Sequence, residues 1–186
     1  MYTHYDLTKS KSIRVTPTLY NRDVDVVFAC WHDSMSYILN DKDKTYRGIR
    51  VYDNDKKLRL PQDFPFLGIS RINNQNSETN GRLKQMIRLL KNIRTDAKPE
   101  LDIKLNSFEI NAICYSIPVA EYADINYIDM VYKVWNTMYT MLKDSSRLDS
   151  LKSVDGAEYV FRNRQNKVEQ LRLLEDEVWQ IYNSIK

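Results

Sequence analysis

NGRLKQMIRLLKNIRTDAKPELDIKLNSFEINAICYSI, from Asn80 to Ile117, reads as two amphipathic helices joined by a polar loop. Leu83, Met86, Ile87, Leu90 and Ile93 recur at i, i+3, i+4, i+7 and make one apolar face. Lys84, Arg88 and Lys91 recur at i, i+4, i+7 on another face, and no acid lies between Glu78 and Asp96 to neutralise them. Like charges at i, i+4 cost a helix about 0.2–0.5 kcal/mol per pair, so the stripe is either a solvated face or an anion site that recovers the cost. The second helix has a defined start: Asn106 followed by Glu109 has the spacing of a capping box, and Pro118 stops it after Ile110, Ile113, Cys114 and Ile117. Ser107 and Phe108 therefore fall in its first turn, where backbone N–H groups and the helix dipole favour an anion. They could hold a phosphate and stack a base there, or serve as part of the cap and as core.

The segment Arg82–Arg94, its loop, and Leu105-Asn-Ser107-Phe108-Glu-Ile resemble the part of template-independent nucleotidyltransferases that closes over the nucleotide. That family comprises the 2′-5′-oligoadenylate synthetases, cyclic GMP-AMP synthase and the bacterial synthases of cyclic oligonucleotides used in antiphage defence. The resemblance implies that Lys91 and Ser107 hold a triphosphate and that Phe108 stacks on the base; Lys84 and Arg88, from the charge stripe, are candidate nucleotide-binding residues beside them. It also implies a polymerase-beta-like sheet ahead of the helices.

Further upstream, Asp23–Cys30 alternates Val24, Val26 and Phe28 against Asp23, Asp25 and Val27 before becoming wholly apolar, which predicts a strand partnered by Ser12–Val15. An acid in so apolar a strand is costly to bury unless it is paired or binds a metal. Asp25 is thus either an edge residue paired with Arg14 or Arg22, or a metal ligand. The resemblance implies the second: Val24-Asp25-Val26-Val27-Phe28-Ala29 is similar to the strand that carries the family's third catalytic carboxylate, a Mg²⁺ ligand and general base. The family's first carboxylate pair follows a Gly-Ser turn, whereas the first glycine here is Gly48. Asp23-x-Asp25 is therefore not read as that pair. The expectation is a chain that holds the later part of the core, inactive without a further N-terminal segment or complementary chain that brings the remaining carboxylates.

Between these stretches, Arg47–Tyr52 and Lys57–Leu60 flank Asp53-Asn-Asp-Lys56 and predict a hairpin; Asp53-x-Asp55 lacks the Gly and terminal Glu of a calcium loop. Pro61–Asn80 reads as loop, with Asn76, Thr79, Asn80 and Gly81 resembling the family's passage out of the sheet. Beyond Pro118, Asp124 is a candidate cap for a helix bearing Ile128, Val131, Tyr132, Trp135, Met138, Tyr139 and Leu142 on its inner face. Asp144–Ser150 reads as a polar link, Asp155-Gly156 as a turn, and a last helix starts near Asn166 with Val168, Leu171, Leu174, Val178, Ile181 and Ile185 inward. The fold class is α+β: residues 1–80 form a partial, small antiparallel sheet region and residues 81–186 a mostly helical nucleotide-closing domain.

Composition sets the remaining bounds. The chain has 186 residues and a formal charge of +3, with four Gly and five Pro. Its length suits one medium domain with a real core, and so mild a charge does not demand nucleic acid. Cys30 and Cys114 both stand in apolar surroundings and read as reduced core thiols of a cytoplasmic protein. No segment is long and apolar enough to cross a membrane. Neither His4 nor His32 has a Cys or Glu at metal-ligand spacing, and there is no glycine-rich phosphate loop. Two functions follow: part of an enzyme that transfers a nucleoside monophosphate from an NTP to a ribose hydroxyl, or a module that binds nucleotide or nucleic acid through helix 82–94 without chemistry.

Overall fold

The structure, a computed structural model, describes residues 2–17, 23–122 and 125–186. The chain divides into two compact units, Met1–Leu67 and Gly68–Lys186. In the first, β1 (Tyr2–Asp6), β2 (Ile13–Pro17) and β3 (Val24–Val26) form an antiparallel sheet in that order. The register sets Ile13 opposite Val26, Arg14 opposite Asp25 and Val15 opposite Val24. The predicted strand 23–30 is therefore two strands. After a break at Val27-Phe28, β4 (Ala29–His32) leaves for a second sheet, where it lies antiparallel to β5 (Gly48–Asp53). Cys30 is consequently exposed on β4, not a core thiol.

Helix α1 (Met35–Leu39) connects these strands with a 3-10 turn at Lys44–Tyr46. Ser34 Oγ accepts from Tyr37 N at 3.0 Å and donates to Tyr46 O at 2.9 Å, so one hydroxyl starts the helix and fixes the turn. β6 (Leu58–Arg59) completes the expected hairpin with β5. Asp53 Oδ1 accepts from the backbone N–H of Asp55 and Lys56, both at 3.1 Å, which makes the Asp-rich segment a turn.

The region read as loop up to Asn80 contains α2 (Pro65–Glu78). Pro65 suits the first helical position, but Asn73-Asn74-Gln75-Asn76 is a poor helical run by propensity. Contacts distant in sequence override that: the Gln75 side chain donates to Tyr115 O at 3.2 Å and Ile117 O at 3.0 Å, and Asn76 Oδ1 accepts from Lys84 N at 3.0 Å. Asn80 and Gly81, with φ of 51° and 86°, turn the chain between two helices and not out of a sheet. Thr79 Oγ1 then accepts from Leu83 N at 3.3 Å at the start of α3 (Arg82–Asp96).

A 3-10 turn at Pro99–Leu101 leads to α4 (Ser107–Tyr115) and the short α5 (Val119–Tyr122). α6 (Tyr127–Lys143), α7 (Ser145–Ser150) and α8 (Gln165–Ile185) follow. Asp124 lies outside the described residues, and Asn126 caps α6 by accepting from Asp129 N at 2.9 Å. Asp144–Ser150 is helical and not a link, because Asp144 accepts from Ser146 N and Arg147 N and caps α7. The core of this unit joins Leu83, Met86 and Leu90 of α3, Ile110 and Ile113 of α4, Met138 of α6, and Leu171 and Leu174 of α8, all at most 0% exposed. Each such side chain contributes about 1.5–3 kcal/mol by leaving water.

The apolar face of α6 is rotated from the one its aromatic spacing predicts. The buried side of α6 is Met130, Val131, Val134, Thr137, Met138 and Met141, while Ile128, Tyr132 and Tyr139 are exposed. The aromatics stack along the surface against α8, with Trp135 and Trp179 ring centroids 4.2 Å apart. The α+β reading holds: small antiparallel sheets followed by a mostly helical region.

Candidate functional site

α3, which carries the basic stripe, packs on the capped α4 through its apolar face. Leu83, Met86, Ile87, Leu90 and Ile93 are all buried, so the opposite-phase Lys84, Arg88 and Lys91 are turned away from the core. Lys84 Nζ donates to the neutral Asn73 Oδ1 at 2.7 Å. Among the described residues, none of Lys84, Arg88 and Lys91 has a carboxylate within ion-pair distance. Burial pushes the Cys114 thiol up to about 12, and the Lys91 charge opposes that rise. Arg94, not singled out by its sequence, fastens the two helices by donating to Leu105 O at 2.8 Å.

The α4 cap is formed as its spacing predicts. Asn106 Oδ1 accepts from Phe108 N at 2.7 Å and Glu109 N at 3.3 Å, and Glu109 Oε2 accepts from Asn106 N at 2.7 Å. Glu109 is 2% exposed, and its Oε1 pairs with Lys167 Nζ of α8 at 3.0 Å. The cap thus occupies two of the first-turn amides that the sequence offered to an anion. What faces outward is exposed Ser107, whose hydroxyl has no partner among the described residues, and half-buried Phe108, packed against the core on one side. One turn on, Asn111 Oδ1 is buried without a hydrogen-bond partner. Nothing local marks Asn111 in the sequence; its signal is its i+4 spacing from Ser107, which puts both on one face.

Asp25 lies in the first unit, on β3 at the edge of its sheet, while the other five candidates lie in the second. Both its oxygens are engaged: Lys9 Nζ stands 3.0 Å from Oδ1, Arg14 Nε 3.1 Å from Oδ1, and Arg14 Nη2 3.3 Å from Oδ2. The Arg14 hydrogen bonds first, and then those of Lys9, hold its carboxyl down at about 2. Asp23 Oδ1 accepts from Thr16 Oγ1 at 2.7 Å, and its Oδ2 is 3.6 Å from Arg14 Nη1. Arg22 lies outside the described residues. No group of three or more His, Cys, Asp or Glu side chains able to hold a metal occurs among the described residues. A Mg²⁺ ion prefers six oxygens in an octahedron and gives up water reluctantly. One carboxylate clasped by two cations does not meet that need, so the residues present do not make a Mg²⁺ site by themselves.

Comparison with known proteins decides the family. Residues 70–183 match the sequence model of the cGAS/DncV-like nucleotidyltransferase C-terminal helical domain. The chain belongs to the cGAS/DncV-like nucleotidyltransferase family. The match takes in α3 and α4 entire, and with them Lys84, Arg88, Lys91, Ser107 and Phe108; Asp25 stands ahead of it. Over 184 residues the chain is 50% identical to a c-di-GMP synthase of Lachnospiraceae bacterium (strain RUG226), covering 99% of this chain and 52% of that protein. A STING-associated CdnE c-di-GMP synthase from Capnocytophaga granulosa superposes with a TM-score of 0.86 at 41% identity, over 99% of this chain and 58% of that one. A second such synthase, from Flavobacteriaceae sp., gives 0.85 at 37% identity, over 99% and 52%. The chain spans about half the length of the curated relatives it matches. Among the described residues, no helix is long and apolar enough to cross a membrane.

Proposed function

We propose that the α3–α4 pair grips a nucleoside triphosphate, and that the protein is the later half of a nucleotidyltransferase making a cyclic dinucleotide. In that reaction a ribose hydroxyl oxygen attacks the α-phosphorus of the NTP, the bond to the β-phosphate oxygen breaks, the hydroxyl proton is lost, and pyrophosphate leaves. The carrying observation is a basic stripe, without carboxylate partners among the described residues, on a helix packed against the capped helix that presents Ser107 and Phe108. In this reading Lys91 sets its ammonium on the triphosphate, Lys84 and Arg88 raise the local positive potential, and the Ser107 hydroxyl donates to a phosphate oxygen. The Phe108 ring lies against the base. Asn111 Oδ1, an acceptor lacking a donor, receives an N–H or O–H of the bound nucleotide.

The names of the matched relatives make GTP the first nucleotide to try. They also favour chemistry over a passive nucleotide- or nucleic-acid-binding module. A cytoplasmic setting, where nucleotides are abundant, goes with this function. Asp25 is assigned as a catalytic carboxylate of the first unit, to be freed from Lys9 and Arg14 when the site assembles. Transfer by two metal ions needs carboxylates that bridge both. The proposal therefore gives this chain the binding and orientation of the nucleotide and assigns Mg²⁺ binding to Asp25 together with carboxylates from outside the chain, carried by the half of the relatives it does not span or by a complementary chain.

Calorimetry with GTP and ATP tests the grip. Replacing Lys91 by Ala should weaken binding by about 1–3 kcal/mol, the scale of one charge-assisted hydrogen bond. Absence of binding at millimolar nucleotide by a folded chain would overturn the proposal.

A further inference from the structure

A cavity in the helical unit, with a volume of about 430 Å³, opens at the end of α4 opposite Ser107, where Tyr115 and Ser116 finish the helix. Three cations line it: Arg71 of α2, Arg147 of α7 and Lys152 of the segment that follows. None of its lining residues is acidic. Of the carboxylates nearby in sequence, Asp144 caps α7, Asp155 Oδ1 accepts from Ala157 N and Glu158 pairs with Arg164 at 3.0 Å, while Asp149 is exposed and is not part of the lining. Among the described residues none of the three cations has an ion-pair partner. Three positive groups around one hollow repel each other unless an anion enters.

The wall is also built rigidly. Arg71 Nη1 donates to Val154 O at 2.9 Å, which fixes the guanidinium and leaves its other N–H groups available. Gly156 has a φ of +80°, and a Cβ there would stand 3.3 Å from Arg71 Nη1, so both conformation and space call for glycine. Ser153 N donates to Glu158 O at 2.8 Å and Val160 N to Leu151 O at 2.9 Å, closing the segment on itself. Tyr115 and Met141 give the cavity an apolar side. The volume lies within the range of small-molecule sites.

We infer that this cavity binds a small phosphorylated ligand, with phosphate held by Arg71, Arg147 and Lys152 and a flat or apolar portion set against Tyr115 and Met141. It lies at the opposite end of α4 from Ser107: the nine residues of the helix put about 13 Å between that serine and the cavity end. Pyrophosphate and a nucleoside monophosphate share the recognised chemistry, so both serve as probes.

The test is amide NMR of the full chain titrated with pyrophosphate, with GMP and with guanosine. Pyrophosphate and GMP should shift the amides of residues 151–156, GMP more tightly if Tyr115 takes the base, while guanosine leaves them in place. Arg147→Gln with Lys152→Gln, both exposed side chains, should weaken pyrophosphate binding at least tenfold. Lys91→Ala should not change it, which separates this site from the grip. Unmoved 151–156 amides, guanosine shifts equal to those of GMP, or an undiminished affinity in the folded double variant would each overturn the inference.

Discussion

Replacing Glu109 by Ala removes two anchors at once. Its Oε2 accepts from Asn106 N at 2.7 Å, and its Oε1 pairs with Lys167 Nζ at 3.0 Å, with only 3% of the Glu109 side chain exposed. A hydrogen bond to a charged acceptor contributes about 1.5–3 kcal/mol. Breaking a buried ion pair costs about 3–5 kcal/mol. Lys167 keeps 22% exposure and a bond to Lys104 O at 3.0 Å, so the stranded ammonium remains partly solvated. The loss should be about 3 kcal/mol, a Tm decrease of roughly 6–12 °C for a chain of this size. Glu109→Gln keeps an acceptor for Asn106 N and gives up the ion pair, so it should fall between parent and Ala variant. A double-mutant cycle with Lys167→Met, read by urea denaturation, should return a coupling of about 1–3 kcal/mol. A Glu109→Ala Tm within about 1 °C of the parent, or no coupling to Lys167, would refute the reasoning.

Asn111→Leu should leave stability unchanged or raise it by up to about 1 kcal/mol, since it removes an unsatisfied buried acceptor, yet lower GTP affinity about tenfold; thermal melts and calorimetry check the two halves. Gly156→Ala should destabilise by about 1–2 kcal/mol through its positive φ, measurable by urea titration. Asp25 has a folded pKa below its ordinary 3.8, at about 2. Its pairing with Arg14 and Lys9 should therefore stabilise fully above about pH 4 and fade as pH falls towards 2, so the stability difference between parent and Asp25→Asn should close over that window. Incubated with labelled NTPs and Mg²⁺, this chain by itself should release no pyrophosphate; turnover lost in Asp25→Asn would show that Asp23 and Asp25 form the first carboxylate pair.

The legible parts of the chain were those whose determinants are local. Leu83, Met86, Leu90 and Ile93 announce α3 by spacing, and Asn106 with Glu109 announces α4 by a reciprocal cap three residues apart. α2 was not legible because its Asn-rich run is held by Gln75 reaching the carbonyls of Tyr115 and Ile117, some forty residues on. The inner face of α6 was misread for a related reason. Its aromatics are large enough to look like core, but they stack on Trp179 and Tyr182 at the surface, and the less conspicuous Met130, Val134 and Met141 fill the interior. Of the candidate site, the charge stripe and the Ser107–Phe108 turn could be read from spacing. The occupation of the cap amides, the Asp25 clasp and the orphaned Asn111 carbonyl needed three-dimensional neighbours.

The most direct test of the nucleotide grip is a GTP titration followed at the amides of Ser107 and Phe108 in parent, Lys91→Ala and Ser107→Ala chains. The account predicts saturable shifts at both amides in the parent, weakened at least fivefold by either substitution. Amides that stay in place at millimolar GTP, while the melting curve shows a folded chain, would contradict it.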